Sequence, residues 1–302
     1  MGRDGGYPPG MSGGMRIQFH GVRGSTPCAG PQYARYGGHS SCVSVTADGH
    51  TPVVFDLGTG IRPYGESLGG DVAFNGNVLL THLHWDHVQG LPFFRPLFRP
   101  DSSVAIYGPR QTEGPDLGSV FTGMMQPPYF PIRPDQLGAS ITFHDTGDDD
   151  FAVGHSKVRS RWVRHTGPTL GFRVEMNGAS VAYISDHGPG CCAEDPDDYV
   201  PEEILELCDG VDVLVHDAQH TTEEYGPKRS WGHCTFDYAV HVAREAGART
   251  LALFHHDPAH TDTDVDEIAK RAADASAAVN GAEVVASAEG LVLEVAPHHA
   301  RS

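Results

Sequence analysis

The sequence predicts an α/β fold in which layered sheets are covered by helices. Two observations carry this reading. Short β-branched or apolar runs, each bounded by turn residues, recur along the chain. Fewer helical stretches lie between and after them, the interleaving expected of sheets with helical covers.

Taken in chain order, Met1–Gly14 is rich in Gly and Pro and lacks the apolar stretch of a secretory signal. It is read as a disordered leader, and residues 15–302 as one domain. Val53-Val54-Phe55 forms a first apolar run and stops at Asp56, ahead of Gly58-Thr59-Gly60. Asn77 to Thr81 runs into His82. Residues 108–140 read as irregular, with an apolar, Pro-rich stretch at Met124–Pro131 that is either a packed connection, a flap over the site or part of a dimer contact.

Lys157 to Arg164 runs into His165, Val181 to Ser185 into Asp186, Val211 to Val215 into His216 and Asp217, and Thr250 to Phe254 into His255 and His256. If these strands lie side by side, their ends bring ligand-type side chains from distant parts of the chain to one sheet edge. Helices are expected at Pro201–Cys208, at Asp237–Gly247 with Tyr238, Val242 and Ala246 on one face, and at Thr263–Asn280, where Asn280-Gly281 supplies a stop.

Composition narrows the function classes. The formal charge is −18, from 21 Lys and Arg against 39 Asp and Glu. An acidic chain without a Lys/Arg run repels an extended phosphate backbone, so no extended nucleic-acid binding is expected. No apolar run approaches the roughly 20 residues of a membrane span. The six Cys match no paired zinc pattern and read as reduced thiols of a cytoplasmic protein.

His82-x-His84-x-Asp86-His87 places four potential ligands in one short segment straight after a strand. Imidazole nitrogen and carboxylate oxygen suit Zn, Mn or Fe. In a tight turn, His82 and His84 can face one metal while Asp86 and His87 face a second. With this motif the sequence resembles the metallo-β-lactamase superfamily. More narrowly it is similar to the phosphodiesterase branch of phosphoribosyl cyclic phosphodiesterases and tRNA 3′-processing endonucleases. Supporting segments are Phe19–Ser25, Tyr36-Gly37-Gly38, Phe55–Gly60, His165–Gly171, Tyr183–Asp186, Trp231-Gly232-His233 and Leu251–Pro258.

The resemblance implies a four-layer αββα sandwich with two divalent metal ions at one sheet edge, Zn foremost and Mn or Fe as alternatives. It implies His82, His84 and His165 on the first metal, Asp86, His87 and His255 on the second, and Asp186 bridging them, with Asp56 in support. The neighbouring His256 competes with His255 for the last position. The branch further implies that His233 acts on the phosphate or the leaving group, oriented by Asp217, so that His233, Asp217 and Asp86 make up the catalytic group. His20, His39, His144, His155, His220, His241 and His260 read as ordinary loop or core histidines.

The expected activity is hydrolysis of a small phosphodiester, cyclic diesters included, by metal-bound hydroxide. The alternatives are tRNA 3′-end processing, a lactonase or thioesterase on the same metals, and a metal-stabilised binding protein without turnover. The expected partners are the small diester and, as an option, a second copy of the chain. No membrane partner is expected.

Overall fold

The computed structural model describes residues 13–69, 72–191, 196 and 198–297. The leader expected at residues 1–14 falls almost wholly outside them, as does Cys192. The chain forms β1 (Met15–Gly21), β2 (Cys42–Ala47), β3 (Val53–Phe55), β4 (Asn75–Leu79), β5 (Ser103–Pro109), β6 (Ser140–Thr146), β7 (Asp149–Val153), β8 (Ser156–Trp162), β9 (Leu170–Met176), β10 (Ala179–Ile184), β11 (Val213–Asp217), β12 (Thr250–Phe254), β13 (Glu283–Ala286) and β14 (Val292–Val295). They build two seven-stranded sheets, ordered β14-β1-β2-β3-β4-β5-β6 and β13-β12-β11-β10-β9-β8-β7.

Both sheets are mixed. In the first, β3 to β6 run parallel while β1 and β2 alternate in direction; in the second, β10 to β13 run parallel. Parallel strands are covered on both faces and need continuous apolar runs. Accordingly every residue of β10 and β11 is buried. The inner faces meet in a core that includes Ile17, Phe19, Phe55, Tyr183 and Phe254.

Helices α1 (Ile61–Ser67), α2 (Trp85–Val88) and α3 (Leu117–Met124) fall on the first half of the chain. Helices α4 (Glu202–Cys208), α5 (Thr222–Lys228), α6 (Phe236–Glu245) and α7 (Asp262–Ala278) fall on the second. Two outer cores, one including Ile61, Leu91 and Phe121 and the other Leu207, Phe236 and Val242, complete the αββα layering. In α6 the anticipated face of Tyr238, Val242 and Ala246 is buried, and the Thr235 hydroxyl caps the helix by accepting from Tyr238 N–H. Helix α7 ends ahead of Asn280, which takes φ +51°.

Two expectations need correction. Residues 108–140 are not wholly irregular, since they contain α3, whose Leu117 and Phe121 are buried one turn apart. With Met125 and Leu137 they anchor the stretch to the outer core, while most of its other residues are exposed. Strand β11 also runs two residues further than expected, so His216 and Asp217 lie within it, Asp217 paired with Phe254 of β12. Among the described residues no helix is long and apolar enough to cross a membrane. Cys28, Cys42, Cys208 and Cys234 are free thiols.

Candidate metal centre

The parallel strands of each sheet deliver their carboxyl ends to one edge of the sandwich, and the polar residues gather there. After β4 the chain turns through Thr81 to His84 and enters α2, which carries Asp86 and His87. His165 follows β8, Asp186 follows β10, Asp217 ends β11 and His255 follows β12. Ligand-type atoms converge in overlapping groups: His82, His84 and His165; His82, His87 and Asp186; Asp86, His87 and His255; His165, Asp186 and His233; Asp217, His233 and His255. All seven expected ligands are therefore brought together, as are His233 and Asp217.

Hydrogen bonds at the rear of several imidazoles fix which nitrogen faces inward. His165 Nδ1 donates to the Gly232 carbonyl (2.6 Å), leaving Nε2 against His84 Nδ1 at 3.2 Å. His87 Nδ1 donates to Asp56 Oδ2 (2.8 Å), and His255 Nδ1 donates to Gln219 Oε1 (2.8 Å). Their Nε2 atoms then face each other at 3.3 Å. A neutral imidazole has one donor and one acceptor nitrogen. With the donors committed at the rear, two lone pairs meet at the front of the His87–His255 pair, an arrangement that a cation relieves. His82 Nε2 is buried with no hydrogen-bond partner and lies 3.8 Å from Asp186 Oδ2. A buried polar atom without a partner is costly unless something binds it. The donor set thus fits divalent metal ions.

The protonation states suit the same purpose, since ligands must be neutral imidazole and ionised carboxylate. Burial pushes His165 down to about 4 and lowers His82 and His84. Burial alone would raise the Asp86 and Asp186 carboxyls, but the surrounding imidazoles outweigh it and hold both well below the usual carboxylate range. His87 departs from this pattern: burial lowers it, but Asp86, Asp186 and Asp56 outweigh the burial and raise it, so a cation binding there would have to displace its proton.

Asp56, fully buried and at φ +59°, organises the metal loop. Its Oδ1 accepts from Thr81 N–H and hydroxyl (2.8 and 2.9 Å), and its Oδ2 from His87 and from the Tyr183 hydroxyl (2.8 Å each). His255 faces the cluster, with Nε2 at 3.2 Å from Asp86 Oδ2 and 3.3 Å from Asp186 Oδ2. His256 turns away, and its Nε2 donates to the Ser287 carbonyl (2.9 Å).

His233 stands over this cluster, its ring centroid 4.9 Å from that of His255 and 5.1 Å from that of His165. Its Nδ1 donates to Asp217 Oδ2 (2.8 Å). Burial lowers its pKa, yet Asp217, followed by Asp186 and Asp86, outweighs it and raises the imidazole above its ordinary value. Asp217 also accepts from the backbone N–H of His187 (3.1 Å) and of Gln219 (2.9 Å).

Sequence reasoning missed Gln219 and His187, and quoted Ser25 and Tyr183 only as parts of supporting segments, with no role. Ser25, at φ +61°, donates its backbone N–H to Asp86 Oδ2 (2.7 Å). His187 is fully buried behind Asp217, its Nδ1 3.4 Å from His216 Nε2. The signal available for His187 was its place beside Asp186; Gln219, Ser25 and Tyr183 match no spacing rule.

Comparison with known proteins agrees with this geometry. The profile of the Beta-lactamase superfamily domain matches residues 71–256. The chain is 26% identical over 312 residues to Ribonuclease Z of Haloarcula marismortui, covering 92% of this chain and 96% of that one. Its fold is similar to that of the metallo-beta-lactamase fold protein YhfI from Bacillus subtilis (TM-score 0.68, 17% identity, 94% of this chain and 100% of the other). It is also similar to a diphosphatase from the PhnP family (TM-score 0.66, 20% identity, 93% and 97% covered). The chain belongs to the β-lactamase superfamily, as a hydrolase with the metallo-β-lactamase fold.

Proposed function

We propose that the protein is a dinuclear metal-dependent hydrolase of small phosphodiesters. The observation that carries the reading is the buried His233–Asp217 pair set beside the converging ligand cluster. That pair supplies a proton donor for a leaving oxygen.

His82, His84 and His165 would hold one metal and Asp86, His87 and His255 the other, with Asp186 reaching both. Divalent ions in such a pair lower the pKa of a water to ~7 and neutralise charge on a phosphoryl group. Zn is the first choice for this nitrogen-rich set, with Mn and Fe as alternatives. His233, with Nδ1 committed to Asp217, presents Nε2 to the substrate and would deliver its proton to the departing oxygen. Asp217 raises the pKa of that imidazole and holds it in one orientation. Asp86 has a double task, as a ligand and as the carboxylate that Ser25 N–H fixes in place.

The charge of −18 argues against gripping a long phosphate backbone.

The resemblance to Ribonuclease Z over nearly the whole chain favours a second reading, tRNA 3′-end processing. The deciding assay compares cyclic nucleotides, cyclic ribose phosphates, lactone, thioester and lactam panels, and a precursor tRNA at near-physiological salt. Efficient cleavage of small diesters is expected. Efficient 3′ cleavage of the precursor tRNA, with little action on small diesters, would replace the first reading by the second.

A further inference from the structure

Gln219, met above as the acceptor behind His255 and a donor to Asp217, has a buried side chain that sits where three segments meet. Its Oε1 accepts from His255 Nδ1 at 2.8 Å. Its Nε2 donates to Ser25 Oγ at 3.4 Å, and its backbone N–H donates to Asp217 Oδ1 at 2.9 Å. Ser25 in turn fixes Asp86 through its own N–H. We infer that Gln219 is a positioning residue that sets the tautomer of His255, and through it the affinity of the second metal. The inference rests on the proposed reading of His255 as a ligand.

The supply of hydrogens at the two ends of the amide decides which ring nitrogen of His255 is free. A primary amide has one acceptor end and one donor end. With Oε1 toward the ring, Nδ1 carries the hydrogen and Nε2 keeps its lone pair toward Asp86, His87 and Asp186. With the amide reversed, NH₂ would face Nδ1, which would then have to accept. The ring hydrogen would move to Nε2, 3.2 Å from Asp86 Oδ2 and 3.3 Å from His87 Nε2, where a cation needs a lone pair. The Ser25 hydroxyl can donate or accept, so it permits either orientation of the amide, and the ligand role of His255 decides.

Two features keep the ring against Gln219. His255 takes φ +60°, which aims its side chain back at the cluster while His256 leaves it. Gly24 lies so close that a Cβ there would fall 2.4 Å from His255 Nδ1. A residue larger than Gly at position 24 would push the ring off its acceptor. Because Gln219 N–H also holds Asp217, one residue braces both the last metal ligand and the carboxylate behind His233.

The test is metal titration of the parent, Gln219→Met and Gln219→Glu against a competing chelator, with Zn and separately with Mn. Met keeps the length and removes the strong acceptor, whereas Glu keeps an acceptor. Two binding steps are expected in the parent. In Gln219→Met one step should weaken by about 10–100-fold, the range typical of lost outer-shell partners, with the other unchanged. Gln219→Glu should bind as tightly as the parent or more so.

Parent-like affinity of both steps in Gln219→Met would overturn the inference while leaving the dinuclear reading intact. Equal weakening in Gln219→Glu would also overturn it, because the role would then be packing. If the Met variant fails to fold, the Glu variant decides: undiminished affinity supports the inference and weakened affinity ends it. A parent that binds fewer than two metals removes the ligand reading of His255, and this inference falls with it.

Discussion

Removing the His233 imidazole is the most informative perturbation. The ring is buried, with Nδ1 bonded to Asp217 at 2.8 Å, and it lies outside the seven residues proposed as metal ligands. His233→Ala should therefore retain both metals. In the variant Asp217 still accepts from His187 and Gln219 N–H, so its charge is not stranded. The stability loss should be that of one charge-assisted hydrogen bond, about 1.5–3 kcal/mol. A general acid contributes about 10²–10⁴-fold. At 1.36 kcal/mol per tenfold, that is about 2.7–5.5 kcal/mol of barrier. The loss should appear in kcat more than in KM, because the proton is needed in the transition state. It should also depend on the leaving group. A p-nitrophenolate leaves without protonation, so bis-p-nitrophenyl phosphate should show the smaller loss and an alkyl or ribosyl diester the larger. The assay is steady-state kinetics on both substrate types, with metal content measured on the same samples. Parental turnover on the alkyl diester at full metal occupancy would refute the reasoning. A loss equal for both leaving groups would assign His233 to phosphate contact and not to proton donation.

Other outcomes follow from the same geometry. Asp86→Ala and His87→Ala should each fold, lose the second metal and lose nearly all hydrolysis; near-parent activity in either, measured with bis-p-nitrophenyl phosphate, would dismiss the ligand assignment. His233 must be protonated to donate, and its pKa is raised chiefly by Asp217, so turnover should fall as pH rises through that value. Asp217→Asn removes the charge and should move this basic limb to lower pH in a pH–kcat profile; an unmoved limb would mean another group titrates. Asp56→Ala leaves Thr81, His87 and Tyr183 without their buried acceptor, at about 1–3 kcal/mol per unsatisfied group. A loss of about 4 kcal/mol or more is expected in denaturant unfolding of the metal-loaded protein, and a loss below about 1 kcal/mol, the usual size of an ordinary substitution, would contradict it.

Much of this centre was legible because its parts obey spacing and pattern. His82, His84, Asp86 and His87 share one turn, Asp186 and His255 each follow an apolar strand, and His165 follows the alternating strand β8. Parallel pairing of β10 to β12, and β8 running in the same direction through antiparallel β9, bring those strand ends to one edge, so distant residues meet without a sequence signal linking them. The choice between His255 and His256 was not legible from pattern, since both follow β12. It depends on a left-handed backbone at His255, which points adjacent rings in different directions. Gln219 and Ser25 were invisible for another reason. They act through an amide orientation and a single backbone N–H, neither of which leaves a periodicity. Helix α3 was hidden by Gly118, Gly123 and the prolines around it, although Asp116 offered a cap signal, accepting from Ser119 N–H at 2.8 Å. Tyr183 illustrates a residue with two uses. Its ring stacks on Phe55 at 4.6 Å in the core, as an apolar strand residue should, while its hydroxyl reaches Asp56.

The central claim is that two divalent metals lie in one shared site at the sheet edge. Anomalous diffraction from crystals of the metal-loaded protein, collected on both sides of the Zn absorption edge, tests it most directly. The account predicts two peaks, one among His82, His84 and His165 and one among Asp86, His87 and His255, with Asp186 between them. A single peak under saturating metal, or peaks lying away from these side chains, would contradict it.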